Sequence, residues 1–455
     1  MKYYPEKVWK ICFHIVISNF IFAYSFGVFN TCAPNVSATL GWGGLENTYT
    51  TLFSALIPTG ALCAAIIAGP LMSHFGRRRS IMLGDIVMII SSGITCILYT
   101  PTFALGRFLS GFASGLFMTI PPNFVNEVTP DEMLPKTGPL VQISANVGFL
   151  AAYSFGLPLP TSNYESNSFN YWWIFMFGFP GLVALYQFWY FWAVCKYDSA
   201  LWLLTQGKQM ESFKSLAQVY TEEGVSDGLL RFSVLEGSAA EGEKGKIGFK
   251  DLFLNKNYRK MIRIGVVLAV LQQVSGINAG IFYSTSIFLK IGGSVFMARV
   301  YTTVTSFIFL LASLASIPLL SKFGRVTLLV SGQILLSIDL CLLGTMIFIG
   351  NTPDLVIIGG IMMIFVIFAY SLGSTLWVYL GEACVDKALG VSASVNLLFV
   401  LFVTLGFPLA VENFGIQYPF LFFGICMAMG AVYCKWDLIE TKNKSKAEVM
   451  SQITE

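Results

Sequence analysis

Charge is what this 455-residue chain has least of: Asp, Glu, Lys and Arg together make up 12% of it, about half the share of an ordinary soluble domain. With 55% hydrophobic residues, that scarcity excludes a soluble globular protein and points to one that crosses a membrane. Histidine is reduced to His14 and His74, and the nine cysteines include no CxxC pair and no Cys/His cluster. Neither a metal site nor a disulfide framework is therefore expected. Cys12, Cys63, Cys96, Cys195, Cys341, Cys426 and Cys434 fall inside apolar runs and read as small core residues. No Gly-rich phosphate loop or nucleophile-base arrangement occurs, which argues against an enzyme and against a cofactor. The net charge of +3 is too small for a nucleic-acid partner, and the basic residues sit at segment ends. No cleaved leader is expected: Lys7 and Lys10 precede an apolar run from Ile11 of about twenty residues, long enough to span and read as an uncleaved anchor.

Long apolar runs are what the chain does have. Twelve are bounded by charges or turn residues, near 11–30, 49–72, 80–99, 104–126, 137–157, 171–195, 261–289, 298–320, 326–349, 355–380, 389–411 and 416–436. Lys2, Lys7 and Lys10 precede the first, Arg77 to Arg79 follow the second, Lys322 and Arg325 follow the eighth, and Lys435, Lys442, Lys444 and Lys446 follow the last. The opposite loops are nearly free of Lys and Arg apart from Lys290 and Arg299, so both termini are expected in the cytoplasm. The one long polar stretch, 196–260, carries Phe213, Leu216, Val219 and Tyr220 at helical spacing, which predicts a short amphipathic helix. GSAAEGEKGKIG at 237–248 reads as a flexible linker. The expected architecture is all-α: six-helix bundles over 1–195 and 261–436, a cytoplasmic helical linker over 196–260, and a tail over 437–455.

The halves repeat a motif. MSHFGRRRSIML (72–83) follows the second run and LSKFGRVTLLV (320–330) follows the eighth, as in transporter folds built from internal repeats. The basic turn has two readings. One is topology alone; in the other, Arg77, Arg78 and Arg325 bond carboxylates and hold the cytoplasmic side shut. Glu127 and Glu382, ending the fourth and tenth runs, are placed for the second. In GRFLSGFASGLF (106–117) small residues recur at i, i+4 and suit close helix packing; Arg107 either snorkels to the outer interface or joins a functional pair.

Amides in apolar runs carry the functional signal. LQQVSGINAGIFYSTSIF (271–288) places Gln272, Gln273 and Asn278 in one span, yet Gln273 and Asn278 would stand about 140° apart on a regular helix. An unwound turn at Gly276 to Gly280 would converge them, which is tolerated where backbone lines a cavity. The alternative is hydrogen-bond glue between helices. Gln142 and Asn146, Asn396 and Trp377 are further deep polar groups. Amides donate and accept at once, as hydroxyl-bearing solutes require, and an indole face suits a sugar ring. Asp339 is read as the only mid-span acid, so the inventory fits a neutral, polyhydroxylated solute.

On these residues the chain resembles the sugar porters of the major facilitator superfamily, and most of all the facilitative hexose transporters. The resemblance rests on QQVSGINAGIFYSTSIF, GRFLSGFASGLF with PPNFVNEVTP, FGRRRSIMLGD, the Trp and Glu of LWVYLGE, and ETK at 440–442. It implies alternating access by two six-helix bundles around one sugar. It also implies hydroxyl contacts from Gln142, Gln272, Gln273, Asn278 and Asn396, ring contact from Trp377, and an outer gate at Phe282 and Tyr283 with Gly373 as a hinge. The expected partners are a hexose, glucose by default, and the bilayer of the plasma membrane; no obligate protein partner is evident.

Departures from the family pattern are informative. YDSALWLL (197–204) keeps the acid as Asp198 but has Leu201 at the arginine position. Leu134 and Leu389 replace the arginines that follow the latch glutamates, with Lys136 and Lys387 the nearest cations. Ala369 stands at the tenth-span acid, Phe282 replaces one of two tyrosines, and Thr303 and Thr305 are the nearest substitutes for an eighth-span asparagine. Proton-linked members carry a first-span aspartate that pairs with the fourth-span arginine; here that residue is Ser25, so a uniporter is expected. A proton-coupled sugar or polyol symporter and a non-transporting sugar receptor are the alternatives. Asn35-Val36-Ser37 is a glycosylation sequon in the first outer loop.

Overall fold

The structure, a computed structural model, describes residues 3–130, 132–162, 168–221, 224–225, 256–444 and 446–454, and apart from isolated pairing at Tyr3 these are helices and their connections. The principal helices are α1 (Pro5–Leu40), α2 (Glu46–Phe75), α3 (Arg77–Thr95), α4 (Thr100–Val128), α5 (Leu140–Phe155) and α6 (Trp172–Trp189), then α7 (Ala200–Thr205) and α8 (Gln209–Leu216). The C-terminal part continues with α9 (Lys256–Gln273), α10 (Ile277–Ile291), α11 (Val295–Lys322), α12 (Arg325–Ile349), α13 (Asp354–Phe368), α14 (Thr375–Ala383), α15 (Asp386–Phe414), α16 (Gln417–Asp437) and α17 (Lys446–Thr454).

Ten of the described segments are long and apolar enough to cross a membrane. Two expected spans fall short for readable reasons: α5 has only 16 residues, and α3 opens on three arginines and carries Asp85 with several serines. Large apolar side chains lie on the protein surface, among them Phe348, Leu355, Trp192 and Trp436. Water would penalise that surface; lipid does not.

Contacts divide the chain into two units. The first comprises Met1–Phe26, Thr59–Phe149 and Tyr171–Lys246; the second comprises Gly27–Pro58, Leu150–Asn170 and Ile247–Glu455. Within the first, α3 and α4 approach closely because Gly84 meets the Phe117 ring and Gly106 meets Thr95, as small-residue rows allow. In the polar stretch, the helix expected from Phe213, Leu216, Val219 and Tyr220 stops at Leu216. Leu216, Val219 and Tyr220 are buried, Phe213 is exposed, and Tyr4 N–H donates to the Val219 carbonyl at 2.8 Å. The expected linker at 237–248 lies outside the described residues.

Candidate functional site

The amide-rich segment is broken where its glycines predicted. Helix α9 ends at Gln273 and α10 begins at Ile277, with Gly276 between them at φ +82°. A β-carbon there would pay about 1–2 kcal/mol for the left-handed backbone and would stand 2.8 Å from the Phe423 ring. Ser275 repairs the gap: its Oγ donates to the Gln272 carbonyl at 2.6 Å and accepts from Ile277 N–H at 3.4 Å. The break removes the angular mismatch of a straight helix, and Asn278 Nδ2 donates to Gln273 Oε1.

A second amide pair lies beside the first. Asn396 Nδ2 on α15 donates to Gln272 Oε1 at 2.8 Å and to the Ala269 carbonyl at 3.1 Å. Gln272 Nε2 donates to the Leu372 carbonyl at 2.9 Å. That carbonyl belongs to Ala369–Gly373, one turn of wider π-type helix between α13 and α14, and such a turn leaves carbonyls out of the regular ladder. Gly373 closes this turn. All four amide residues are buried, yet Gln273 Nε2, Asn278 Oδ1 and Asn396 Oδ1 make no hydrogen bond to protein among the described residues. They offer one donor and two acceptors to a hydroxylated solute. Trp377, on α14, is half-buried. The Thr303 and Thr305 hydroxyls donate to the carbonyls of Arg299 and Tyr301 one turn back. In the first unit Gln142 Nε2 donates to Asn146 Oδ1 at 3.1 Å, one turn along α5.

Beyond the break, α10 is gripped by side chains of the second unit. Asn30 Nδ2 donates to the Ile281 carbonyl at 2.8 Å while its Oδ1 accepts from Thr285 N–H at 3.1 Å, so one amide serves both ends of an i, i+4 backbone pair. Tyr153 OH donates to the same Ile281 carbonyl at 2.8 Å. Tyr283 OH donates to the Thr404 carbonyl at 2.8 Å and its ring stacks on Phe407; Phe282 is buried. Arg299, counted in the sequence as an outer-loop cation, is fully buried. Its guanidinium donates to the carbonyls of Thr31 at 3.0 Å and Leu159 at 2.6 Å and to Asn35 Oδ1 at 2.6 Å. Asn35, the sequon residue, thus lies inside α1 with no exposed surface.

The two basic turns have matching geometry. Asp198 accepts from the N–H groups of Arg77 at 2.9 Å and Arg78 at 3.1 Å, capping the positive end of α3. Glu440 accepts from Arg325 N–H at 2.7 Å and Val326 N–H at 3.1 Å, capping α12 in the same way. Each carboxylate lies where a β-carbon on the preceding glycine, Gly76 or Gly324, would overlap it. The guanidiniums then reach the glutamates: Arg77 Nη2 to Glu127 Oε1 at 2.7 Å, and Arg325 to both oxygens of Glu382 at 2.9 and 3.2 Å. Arg78 takes a different partner, donating to the Phe191 and Cys195 carbonyls at the end of the sixth segment. Burial pushes the Asp198 carboxyl above the usual carboxylate range, against the lowering pull of the Ser199, Arg78 and Arg77 N–H donors. The capping was not legible beforehand, because residues 198 and 440 stand more than a hundred positions from the turns they close.

The chain matches known proteins over nearly its whole length. The model of the sugar (and other) transporter family matches residues 11–452. The chain belongs to that family. It is a multi-pass membrane transporter and not an enzyme. Among relatives of this family, plastidic glucose transporter 4 of Arabidopsis thaliana is 28% identical over 448 residues, 95% of this chain and 78% of the relative. The glucose transporter GlcP of Staphylococcus epidermidis is 28% identical over 406 residues, 87% of this chain and 86% of the relative. The major facilitator proton:xylose symporter XylE, solved with 6-bromo-6-deoxy-D-glucose, has the same fold with a TM-score of 0.82 at 22% identity, covering 98% of this chain and 99% of that one. XylE from E. coli in a partially occluded inward-open conformation superposes with a TM-score of 0.78 at 20% identity, over 94% and 98%.

Proposed function

We propose that this transporter is a facilitative hexose carrier, with glucose its default substrate, working by alternating access with twelve spans in two six-helix halves. The observation that carries the reading is the break at Gly276, which gathers Gln272, Gln273, Asn278 and Asn396 and leaves one donor and two acceptors free of partners among the described residues. In this reading those atoms take sugar hydroxyls, Trp377 takes the ring face, and Gln142 adds a hydroxyl contact. Phe282 and Tyr283 form the outer gate, Gly373 serves as a hinge, and the Arg77–Glu127 and Arg325–Glu382 pairs close the cytoplasmic side. The plasma membrane and cytoplasmic termini belong to the same proposal.

Uniport is supported by Ser25. The Arg107 guanidinium donates to the Ser25 carbonyl at 3.1 Å, and the side chain at position 25 offers no carboxylate to switch with protonation. The test is uptake into liposomes containing the purified protein, with labelled glucose, fructose and inositol, with and without a pH gradient. Glucose should equilibrate without responding to the gradient. Accumulation driven by the gradient would replace uniport by symport, and failure to move any of the three would overturn the hexose reading.

A further inference from the structure

The sequence offered Asp339 as the only mid-span acid. The structure adds Asp85, two turns into α3, which the motif FGRRRSIMLGD had disguised as part of a basic surface turn. Asp85 is completely buried, and neither of its oxygens has a hydrogen-bond partner among the described residues. An isolated carboxylate in such surroundings is too costly to persist bare.

Two more orphan oxygens lie in the same part of the first unit. Asn19 Oδ1 on α1 and Ser114 Oγ on α4 are buried without partners among the described residues. Asn19 is tied to this layer because its Nδ2 donates to the Phe117 carbonyl at 3.2 Å, and the Phe117 ring meets Gly84, the residue before Asp85. Ser114 is tied to it by the antiparallel register of α3 and α4. Thr95 meets Gly106, Ser110 Oγ reaches Met88 Sδ at 3.6 Å, and Gly84 meets Phe117, which brings Asp85 level with Ser114. Two carboxylate oxygens, an amide oxygen and a hydroxyl oxygen thus share one layer with no donor supplied to them among the described residues.

Nearby cations are committed elsewhere. On α3, Arg77 bonds Glu127, Arg78 bonds carbonyls after α6, and Arg79 is exposed. Of the ionisable groups on α4, Arg107 belongs to the Thr95 end and Glu127 to the Arg77 end; α6 offers only Tyr186, which with Tyr190 contacts His14 of α1. We propose that Asp85, Asn19 and Ser114 form a site for a monovalent cation, a proton or an alkali ion, that holds α1, α3 and α4 together. The site lies within one unit and does not depend on the sugar reading.

The test is thermal unfolding of the full-length purified protein and of Asp85→Asn in two series. In one, choline chloride is replaced by NaCl or KCl at constant ionic strength; in the other, pH is varied without alkali ions. An alkali-ion site raises the wild-type midpoint by about 2 °C or more in a saturable way and leaves Asp85→Asn unmoved. A proton site makes the wild type lose stability relative to Asp85→Asn as pH rises, because only the wild type is forced to bury a charge. Parallel behaviour of the two proteins in both series overturns the proposal. Should Asp85→Asn not fold, Ser114→Ala decides: a weaker ion response or displaced pH profile supports the site, and wild-type behaviour in both series overturns it.

Discussion

Single side chains in this transporter act mainly through what they leave unbonded. Gln273, Asn278 and Asn396 are buried amides with one polar atom each unbonded among the described residues, and a neutral hydrogen bond is worth about 0.5–1.5 kcal/mol net. Gln273→Leu or Asn396→Leu should therefore raise the KM for glucose roughly two- to tenfold, measured as initial uptake into liposomes. An unchanged KM in both would remove these amides from the site. Asn35 belongs to the same scale but to a different task. Its sequon suggested a surface carbohydrate; the structure seats it on Arg299 and on Asn170 Oδ1 at 2.8 Å. Asn35→Ala should strip a buried guanidinium of one acceptor and destabilise the protein by about 1–3 kcal/mol, visible as a lower unfolding midpoint.

Helices are shaped here by where their ladders fail. Gly276 interrupts the α9–α10 segment, Ala369–Gly373 widens the α13–α14 segment, and the two faults meet through Gln272 and the Leu372 carbonyl. Gly276→Ala combines a left-handed backbone with a collision on Phe423, so it should abolish glucose uptake while the protein still reaches the membrane. A variant transporting at the wild-type rate would show that the break is dispensable. Asn30 grips the middle of α10. Asn30→Leu should release the Ile281 and Thr285 backbone groups, and faster hydrogen exchange confined to α10 is the expected signature.

At the scale of the whole molecule, each half carries a glycine turn, a carboxylate that caps the next helix and an arginine paired with a glutamate. If these pairs restrain the cytoplasmic side, Glu127→Gln with Glu382→Gln should change the rate of glucose exchange. Each change also leaves a guanidinium only 18% exposed without its anion, so a stability loss of about 1–3 kcal/mol should accompany it. Identical exchange rates would leave the pairs a purely structural role. Uniport makes a further demand: glucose influx should cause no alkalinisation of the medium, followed with a pH-sensitive dye.

Apolar run lengths, the repeated FGR turn and the QQVSGIN segment were enough to determine membrane residence, helical class, family and the place of the helix break. Those features are local: hydrocarbon thickness sets run length, and a glycine in the middle of an amide-rich helix announces a fault in it. Which oxygen each amide meets, that Arg78 turns to carbonyls while Arg77 takes Glu127, and that Arg299, Asn35 and Asp85 are buried were decided only by tertiary structure. Each depends on a partner on another helix, often more than a hundred residues away, and a side chain's type records what it can bond without recording what stands opposite it.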